Sequence, residues 1–146
     1  MRARPLATAA LGATLLLSLA GCEKPTPGVT VSSGTRSVHI ESTTYCRDGQ
    51  SAAKQDCVEH LSRVGIIRVK AGNPVAIDVD KSIAQHGWIL VDADANARSA
   101  VLDDHHFAYT PDFRSGPIVH LEIRSLDSVA DNAQTTGIWK FQLVQD

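Results

Sequence analysis

Short segments in which apolar and polar side chains alternate recur along this chain from residue 28 onward, and they constrain the fold more than any other feature. Such alternation puts every second side chain on the same face of a β-strand. Eight segments alternate in this way or are apolar on both faces, and they contain Val29 and Val31, Val38 and Ile40, Ile67 and Val69, Val75, Ile77 and Val79, residues 87–91, His105, Phe107 and Tyr109, Val119, Leu121 and Ile123, and Trp139, Phe141 and Leu143. About eight short strands with turn signals between them predict an all-β protein, an immunoglobulin-like antiparallel β-sandwich.

The segments between these strands predict turns and one helix. Ala71-Gly72-Asn73-Pro74 has the composition of a turn. Residues 51–63 are the one stretch with some helical spacing, and they predict a single short helix. Trp88 and Trp139 occupy strand positions where aromatic side chains usually belong to a core, so we expect both to be buried. The predicted sandwich accounts for residues 29–146.

The start of the chain predicts targeting and a tether. Residues 1–21 have the parts of a secretory signal peptide, in which Arg2 and Arg4 precede an uncharged apolar run over residues 6–19. That run is shorter than the roughly 20 residues that a transmembrane helix needs. Residues 22–28 then form a proline-containing segment, for which we expect a short and stiff conformation.

The end of the predicted signal peptide, Leu19-Ala20-Gly21-Cys22, resembles the lipobox of bacterial lipoproteins. The resemblance implies cleavage before Cys22 and a lipid anchor on it, a diacylglyceryl group with palmitate-type acyl chains. Two buried acyl chains are enough for stable anchoring. The protein is therefore expected at the cell membrane, on its extracytoplasmic side, with the lipid bilayer as its first partner. Loss of Arg2 and Arg4 with the signal peptide takes the formal charge from −2 to −4.

Two cysteines remain once Cys22 is assigned to lipid. Cys46 and Cys57 would meet an oxidising compartment in an exported protein, so the simplest prediction is a disulfide bond between them. Their spacing lacks the close Cys-x-x-Cys pattern of zinc sites and of redox-active dithiols. Free thiols and chemistry at these two residues remain the alternatives.

The domain also resembles actinobacterial lipoproteins that carry an uncharacterised immunoglobulin-like domain of unknown function. The resemblance rests on the lipobox and on Val29-Thr30-Val31, Thr44-Tyr45-Cys46, Asp56-Cys57, Val69-Lys70-Ala71-Gly72-Asn73-Pro74-Val75, Gly87-Trp88 and the segment around Trp139. It implies the same fold. It implies no activity and no functional residues, because there is no agreed activity and no agreed set of functional residues for that family.

Metal binding is the main chemical alternative that the residues suggest. His39-x-Glu41 and His120-x-Glu122 repeat one pattern on predicted outward faces, and Asp103-Asp104-His105-His106 groups several ligand types. Residues 92–103 place oxygen ligands as a calcium loop does, but Ala97 stands where the sharp turn calls for glycine. A polar hairpin turn explains the same residues.

Several other functions lack their sequence signals. The charged residues, 14 Lys+Arg against 16 Asp+Glu, include no basic run of the kind that binds nucleic acid. The chain has no Gly-x-Ser-x-Gly, no His-Glu-x-x-His and no glycine-rich phosphate loop. We therefore expect no enzyme and no cofactor. The sequence predicts a binding or structural module of the cell envelope, with an exported metal-binding domain that uses surface His and carboxylates as the alternative. Residues 93–104 and 125–136, long and polar, are the expected loops for contact with an envelope protein or glycan.

Overall fold

The computed structural model describes residues 25–46, 51–52, 57–130 and 132–146 of the chain. The predicted signal peptide, residues 1–21, and the predicted lipidation site, Cys22, lie outside the described residues. In the described part the strands and the helix are, in chain order, β1 (Gly28–Ser33), β2 (Arg36–Glu41), β3 (Thr44–Tyr45), β4 (Val58–Glu59), β5 (Val64–Val69), β6 (Val75–Val79), α1 (Lys81–Ala84), β7 (Trp88–Asp92), β8 (Ala97–Arg98), β9 (His106–Tyr109), β10 (Ile118–Leu126) and β11 (Thr135–Gln145). No helix among these residues is long and apolar enough to span a membrane.

The strands form two sheets whose apolar faces pack together as a β-sandwich. One sheet has four strands in the order β2-β1-β6-β9. The other has seven, in the order β4-β3-β11-β10-β7-β8 with β5 beside β11. The all-β sandwich is confirmed, and each of the eight predicted segments forms a strand, namely β1, β2, β5, β6, β7, β9, β10 and β11. The other three strands are two residues each, too short for alternation to reveal them.

One strand pair departs from the predicted antiparallel arrangement. Strand β5 runs parallel to β11, with Val64 opposite Lys140 and Val69 opposite Gln145. Because β11 is 11 residues long, β3 pairs with its first part and leaves the rest of that edge open to β5. Gly65 lets β5 fit there, since a Cβ at this position would lie 2.5 Å from the Phe141 ring.

The core lies between the sheets and contains both tryptophans, as predicted. Trp88 and Trp139 are each 0% exposed. Each indole nitrogen still donates a hydrogen bond, from Trp88 Nε1 to the Asp104 carbonyl at 2.9 Å and from Trp139 Nε1 to the Pro27 carbonyl at 3.0 Å. Burial therefore leaves neither donor unpaired.

The helix prediction for residues 51–63 is wrong over the part that the structure describes. Val58–Glu59 is a strand that pairs with β3, and residues 53–56 lie outside the described residues. The helix α1 follows β6 instead. Its four residues are too few to show a helical period in sequence.

The two segments predicted as polar loops are partly strand. Within residues 93–104, β8 pairs with β7, and Leu102 forms a bridge with Trp88. Within residues 125–136, the first two residues end β10 and the last two begin β11. The hydroxyl groups of Ser125 and Thr136 made this segment resemble a loop, although both residues are buried.

Candidate functional site

The chain enters the sandwich through residues that are fixed to it by hydrogen bonds. The Ser42 N–H donates to Thr26 Oγ1 at 3.3 Å, and the Pro27 carbonyl accepts from Trp139. The Gly28 N–H donates to Asp80 Oδ2 at 2.6 Å. Gly28, predicted as the last residue of the tether, is therefore the first residue of β1, because its N–H is already held by the fold. We call this end of the sandwich the tether end.

The predicted disulfide bond between Cys46 and Cys57 is present at the tether end. It joins the residue after β3 to the residue before β4. The Cys46 N–H also donates to the Thr136 carbonyl at 2.8 Å, so the disulfide is attached to β11. The bond rules out free thiols and a cysteine metal site in this state of the protein.

A half-open cavity of about 430 Å³ lies beside the disulfide at the tether end. Its size falls within the range of small-molecule sites in proteins. The residues that line this tether-end cavity are Pro27, Tyr45, Cys46, Ser82, Ile83, His86, Ser125, Leu126, Asp127 and Thr136. The lining thus combines hydroxyl groups, one imidazole and one carboxylate with apolar side chains.

Two buried hydroxyls belong to this cavity lining. Ser125 on β10 and Thr136 on β11 are 4% and 7% exposed, and their oxygens are 2.9 Å apart. Gly137 allows this arrangement, because a Cβ there would lie 2.7 Å from Ser125 Oγ and 2.8 Å from the Trp139 ring. Two strands of the sheet therefore place a polar pair against the cavity.

An imidazole and a carboxylate also line the cavity, and both are exposed. His86 Nδ1 is 2.9 Å from the Ser82 carbonyl. A carbonyl oxygen only accepts, so Nδ1 carries the proton and Nε2 of the neutral ring is an acceptor. Asp127 Oδ1 accepts from the Gln134 N–H at 2.9 Å and from the Ser128 hydroxyl at 3.3 Å.

The histidines predicted as candidate metal ligands do not converge. His39 faces outward on the four-stranded sheet and pairs with Thr30, whereas His120 faces outward on the seven-stranded sheet. Each was correctly expected on an outward face, but these are opposite faces of the sandwich, and Glu41 and Glu122 are separated with them. Among the residues that the structure describes, no three His, Cys, Asp or Glu side chains are placed to hold a metal ion.

One other histidine, His106, pairs with a carboxylate within the four-stranded sheet. His106 Nδ1 lies 2.9 Å from Asp78 Oδ1, in the same row as the contact between His39 and Thr30. His39 and His106 stand three strands apart in this row, and neighbouring strands are about 4.8 Å apart, so the two rings cannot share an ion.

The residues that resemble a calcium loop form a hairpin turn at the opposite end of the sandwich, the far end. Asp92 Oδ1 accepts from the N–H groups of Asp94 and Ala95, and Asp92 Oδ2 accepts from the Tyr109 hydroxyl. The Asp94 carboxylate accepts from the His120 N–H at 2.6 Å and contacts its ring. These oxygens are therefore used by the fold, as a polar hairpin requires.

The contacts of this hairpin shift the pKa values of Asp94 and Tyr109. The His120 backbone N–H, more than the His120 ring, holds the pKa of Asp94 below its usual value. Burial, and then the hydrogen bond to Asp92, raises the pKa of Tyr109 well above that of an ordinary tyrosine. Tyr109 lies in one sheet and Asp92 in the other, so their hydrogen bond joins the two sheets.

Sequence analysis did not identify the tether-end cavity. Ser82, His86 and Thr136 carry no recognisable motif, and they come from two distant parts of the chain, α1 with the turn after it and β11. Two predictions pointed to this end of the molecule, the disulfide and the contact loop over residues 125–136, since the cavity lining includes Cys46 and also Ser125, Leu126, Asp127 and Thr136. Convergence of this kind follows from strand pairing, which a single sequence does not reveal.

Comparisons with known proteins place the chain in a family without assigning it an activity. No curated protein and no solved structure matches it. A family profile does match, over residues 22–140, which is most of the chain and nearly all of the sandwich. The uncharacterised character of the domain agrees with the resemblance drawn from the sequence. The chain belongs to the family described as protein of unknown function (DUF2771).

Proposed function

We propose that the protein is a lipid-anchored binding module of the cell envelope, attached to the extracytoplasmic side of the cell membrane through Cys22. The observation that supports this function best is the fixed entry of the chain into the sandwich. Thr26, Pro27 and Gly28 are all hydrogen-bonded to the fold, so the anchored residue and the sandwich are separated by only a few residues.

The short tether would keep the tether end close to the bilayer. Pro27 is five positions after Cys22 in the chain. At about 3.5 Å per residue, even a fully extended segment would separate the anchor from Pro27 by only about 17 Å. The tether-end cavity, which Pro27 lines, would then open near the membrane surface.

A binding role fits the site better than catalysis does. A hydroxyl nucleophile needs a base within hydrogen-bond reach. In the tether-end cavity the Ser125 and Thr136 hydroxyls contact each other, and the His86 ring contacts a backbone carbonyl. The other histidine–carboxylate pairs, such as His106 with Asp78, stand on outward faces of the sheets. The disulfide at the same end is typical of an oxidising, extracytoplasmic compartment.

The anchor is tested by the Cys22→Ser variant, expressed in a bacterium that processes lipoproteins. We expect the wild-type protein in the membrane fraction with a mass that includes acyl chains, and the variant without that mass. The matched control replaces two other cysteines by serine, Cys46 and Cys57, and should keep the lipid. A Cys22→Ser protein that still carries acyl chains would contradict the proposal.

A further inference from the structure

We propose that the tether-end cavity binds a neutral polyhydroxyl ligand, the saccharide part of a glycolipid or glycan. This inference deepens the proposed function and depends on the lipid anchor only for where the ligand is met. It rests on three features of the described residues: unused hydrogen-bonding capacity, an excess of acceptors, and apolar side chains beside an aromatic ring.

The buried hydroxyl pair has more hydrogen-bonding capacity than the protein uses. Ser125 and Thr136 bring two O–H groups and share one hydrogen bond. One O–H group therefore still needs an acceptor, and the described residues supply none. Buried polar groups in proteins are nearly always paired with protein, water or a ligand. A ligand hydroxyl in the cavity would satisfy this donor and could donate in return.

The remaining polar groups of the cavity are mainly acceptors. His86 presents Nε2 to the cavity, an acceptor in the tautomer that donates from Nδ1 to the Ser82 carbonyl. Asp127 uses Oδ1 for two hydrogen bonds, and its carboxylate has about four acceptor sites in total. Acceptors of this kind favour a ligand rich in O–H groups. None of the described residues that line the cavity is Lys or Arg, and Asp127 is a carboxylate, so the lining favours a neutral ligand over an anionic one.

The apolar part of the cavity suits the carbon face of a sugar ring. Ile83 and Leu126 line the cavity beside the polar groups and are largely buried, at 2% and 6% exposure. The Tyr45 ring is held edge-on against Trp139, with ring centroids 6.3 Å apart. An aromatic ring fixed in this way offers contact area at little entropic cost. A saccharide presents both surfaces that this cavity needs, an apolar C–H face and a rim of hydroxyls.

The test uses the full lipidated protein, purified in detergent and placed in phosphatidylcholine nanodiscs. One set of nanodiscs contains glucosyl diacylglycerol, a second contains phosphatidylglycerol, and a third has no addition. Neutral oligosaccharides are screened on an array and titrated against the third set. Because a ligand raises the melting temperature by mass action, we expect a rise with saccharide and none with phosphatidylglycerol.

Two variants locate the binding. Ser82→Trp places a bulky side chain at an exposed lining position and should weaken binding at least tenfold. Thr136→Val removes one cavity hydroxyl and should weaken it about fivefold, as expected for one hydrogen bond. The matched controls are Ser37→Trp on the outward face of β2 and Thr110→Val at the exposed position after β9, and both should bind as the wild type does.

The outcomes separate the saccharide source from failure of the proposal. Binding to glucosyl diacylglycerol, with or without binding to free oligosaccharide, supports a membrane glycolipid, and binding to free oligosaccharide alone supports a glycan of the envelope. The proposal is overturned if neither binds, if the Ser82→Trp variant binds normally, or if phosphatidylglycerol is preferred. Membrane fractionation tests the anchor without any ligand, so failure of the saccharide proposal leaves that result intact.

Discussion

The carboxylates at the far end of the sandwich and the hydroxyl pair at its tether end differ in how far the fold uses their hydrogen-bonding capacity. At the far end, Asp92 and Asp94 accept hydrogen bonds from backbone N–H groups, from Tyr109 and from His120. At the tether end, Ser125 and Thr136 share a single hydrogen bond beside a cavity. The far-end carboxylates are thus hydrogen-bonded within the fold, whereas the tether-end hydroxyl pair keeps an unused donor.

This difference shows why residue type alone does not identify a site. The far end has the acidic residues that resemble a calcium loop, yet their oxygens close a hairpin and join two sheets. The tether end has no motif, yet its polar groups retain capacity for a ligand. Counting the hydrogen bonds that each group makes separates the two cases, and removing groups at each end tests the distinction.

The largest expected effect is loss of the disulfide that supports the tether end. Replacing both Cys46 and Cys57 by alanine should lower the free energy of unfolding by about 2–5 kcal/mol, because the bond restricts the unfolded chain. Urea denaturation of the wild type with and without reductant, beside the double variant, measures this loss. A loss below about 1 kcal/mol in both experiments would mean that hydrogen bonds alone hold this end together.

At the far end, the Tyr109→Phe substitution should lower the free energy of unfolding by about 1–3 kcal/mol. It leaves the carboxylate of Asp92, which is 3% exposed, without its donor from the opposite sheet. The control is Tyr45→Phe at the tether end, whose hydroxyl has no hydrogen bond among the described residues. Denaturation of both variants measures how much each substitution lowers the free energy of unfolding. Equal losses would remove the distinction between the two ends.

The fold follows from the amino-acid sequence more fully than the site does, and particular residues show why. Alternation reveals strands such as β6, where Val75, Ile77 and Val79 face the core. It does not reveal pairing, so the parallel placement of β5 and the opposite faces of His39 and His120 were missed. Ser125 and Thr136 resembled a loop because hydroxyl residues favour turns, and only strand pairing shows that both are buried.

A smaller effect is expected from removing the tether-end hydroxyl pair. The double variant Ser125→Ala with Thr136→Val replaces both partners by apolar groups of similar shape, which is often nearly neutral for stability. We expect a change within about 1 kcal/mol in the free energy of unfolding, together with loss of saccharide binding. A large loss of stability would place this pair with the far-end groups, as part of the fold.

The smallest expected effect is a pH-dependent one at Asp94. The folded state lowers the pKa of this carboxyl, chiefly through the His120 N–H, so the charged form stabilises the fold. That contribution is complete above the unfolded pKa of about 3.9 and is lost as pH falls through the lower folded pKa. Because the Asp94 side chain is 36% exposed, water screens the interaction, which contributes about 0.5 kcal/mol or less to the free energy of unfolding.

The Asp94→Asn variant should therefore be slightly less stable than the wild type at pH 6, and the difference in stability should shrink below about pH 4. Thermal melts from pH 3 to pH 7 at low salt measure it, with Asp127→Asn as the tether-end comparison. A gap between wild type and Asp94→Asn that stays constant with pH would show that geometry, and not charge, holds the hairpin to β10.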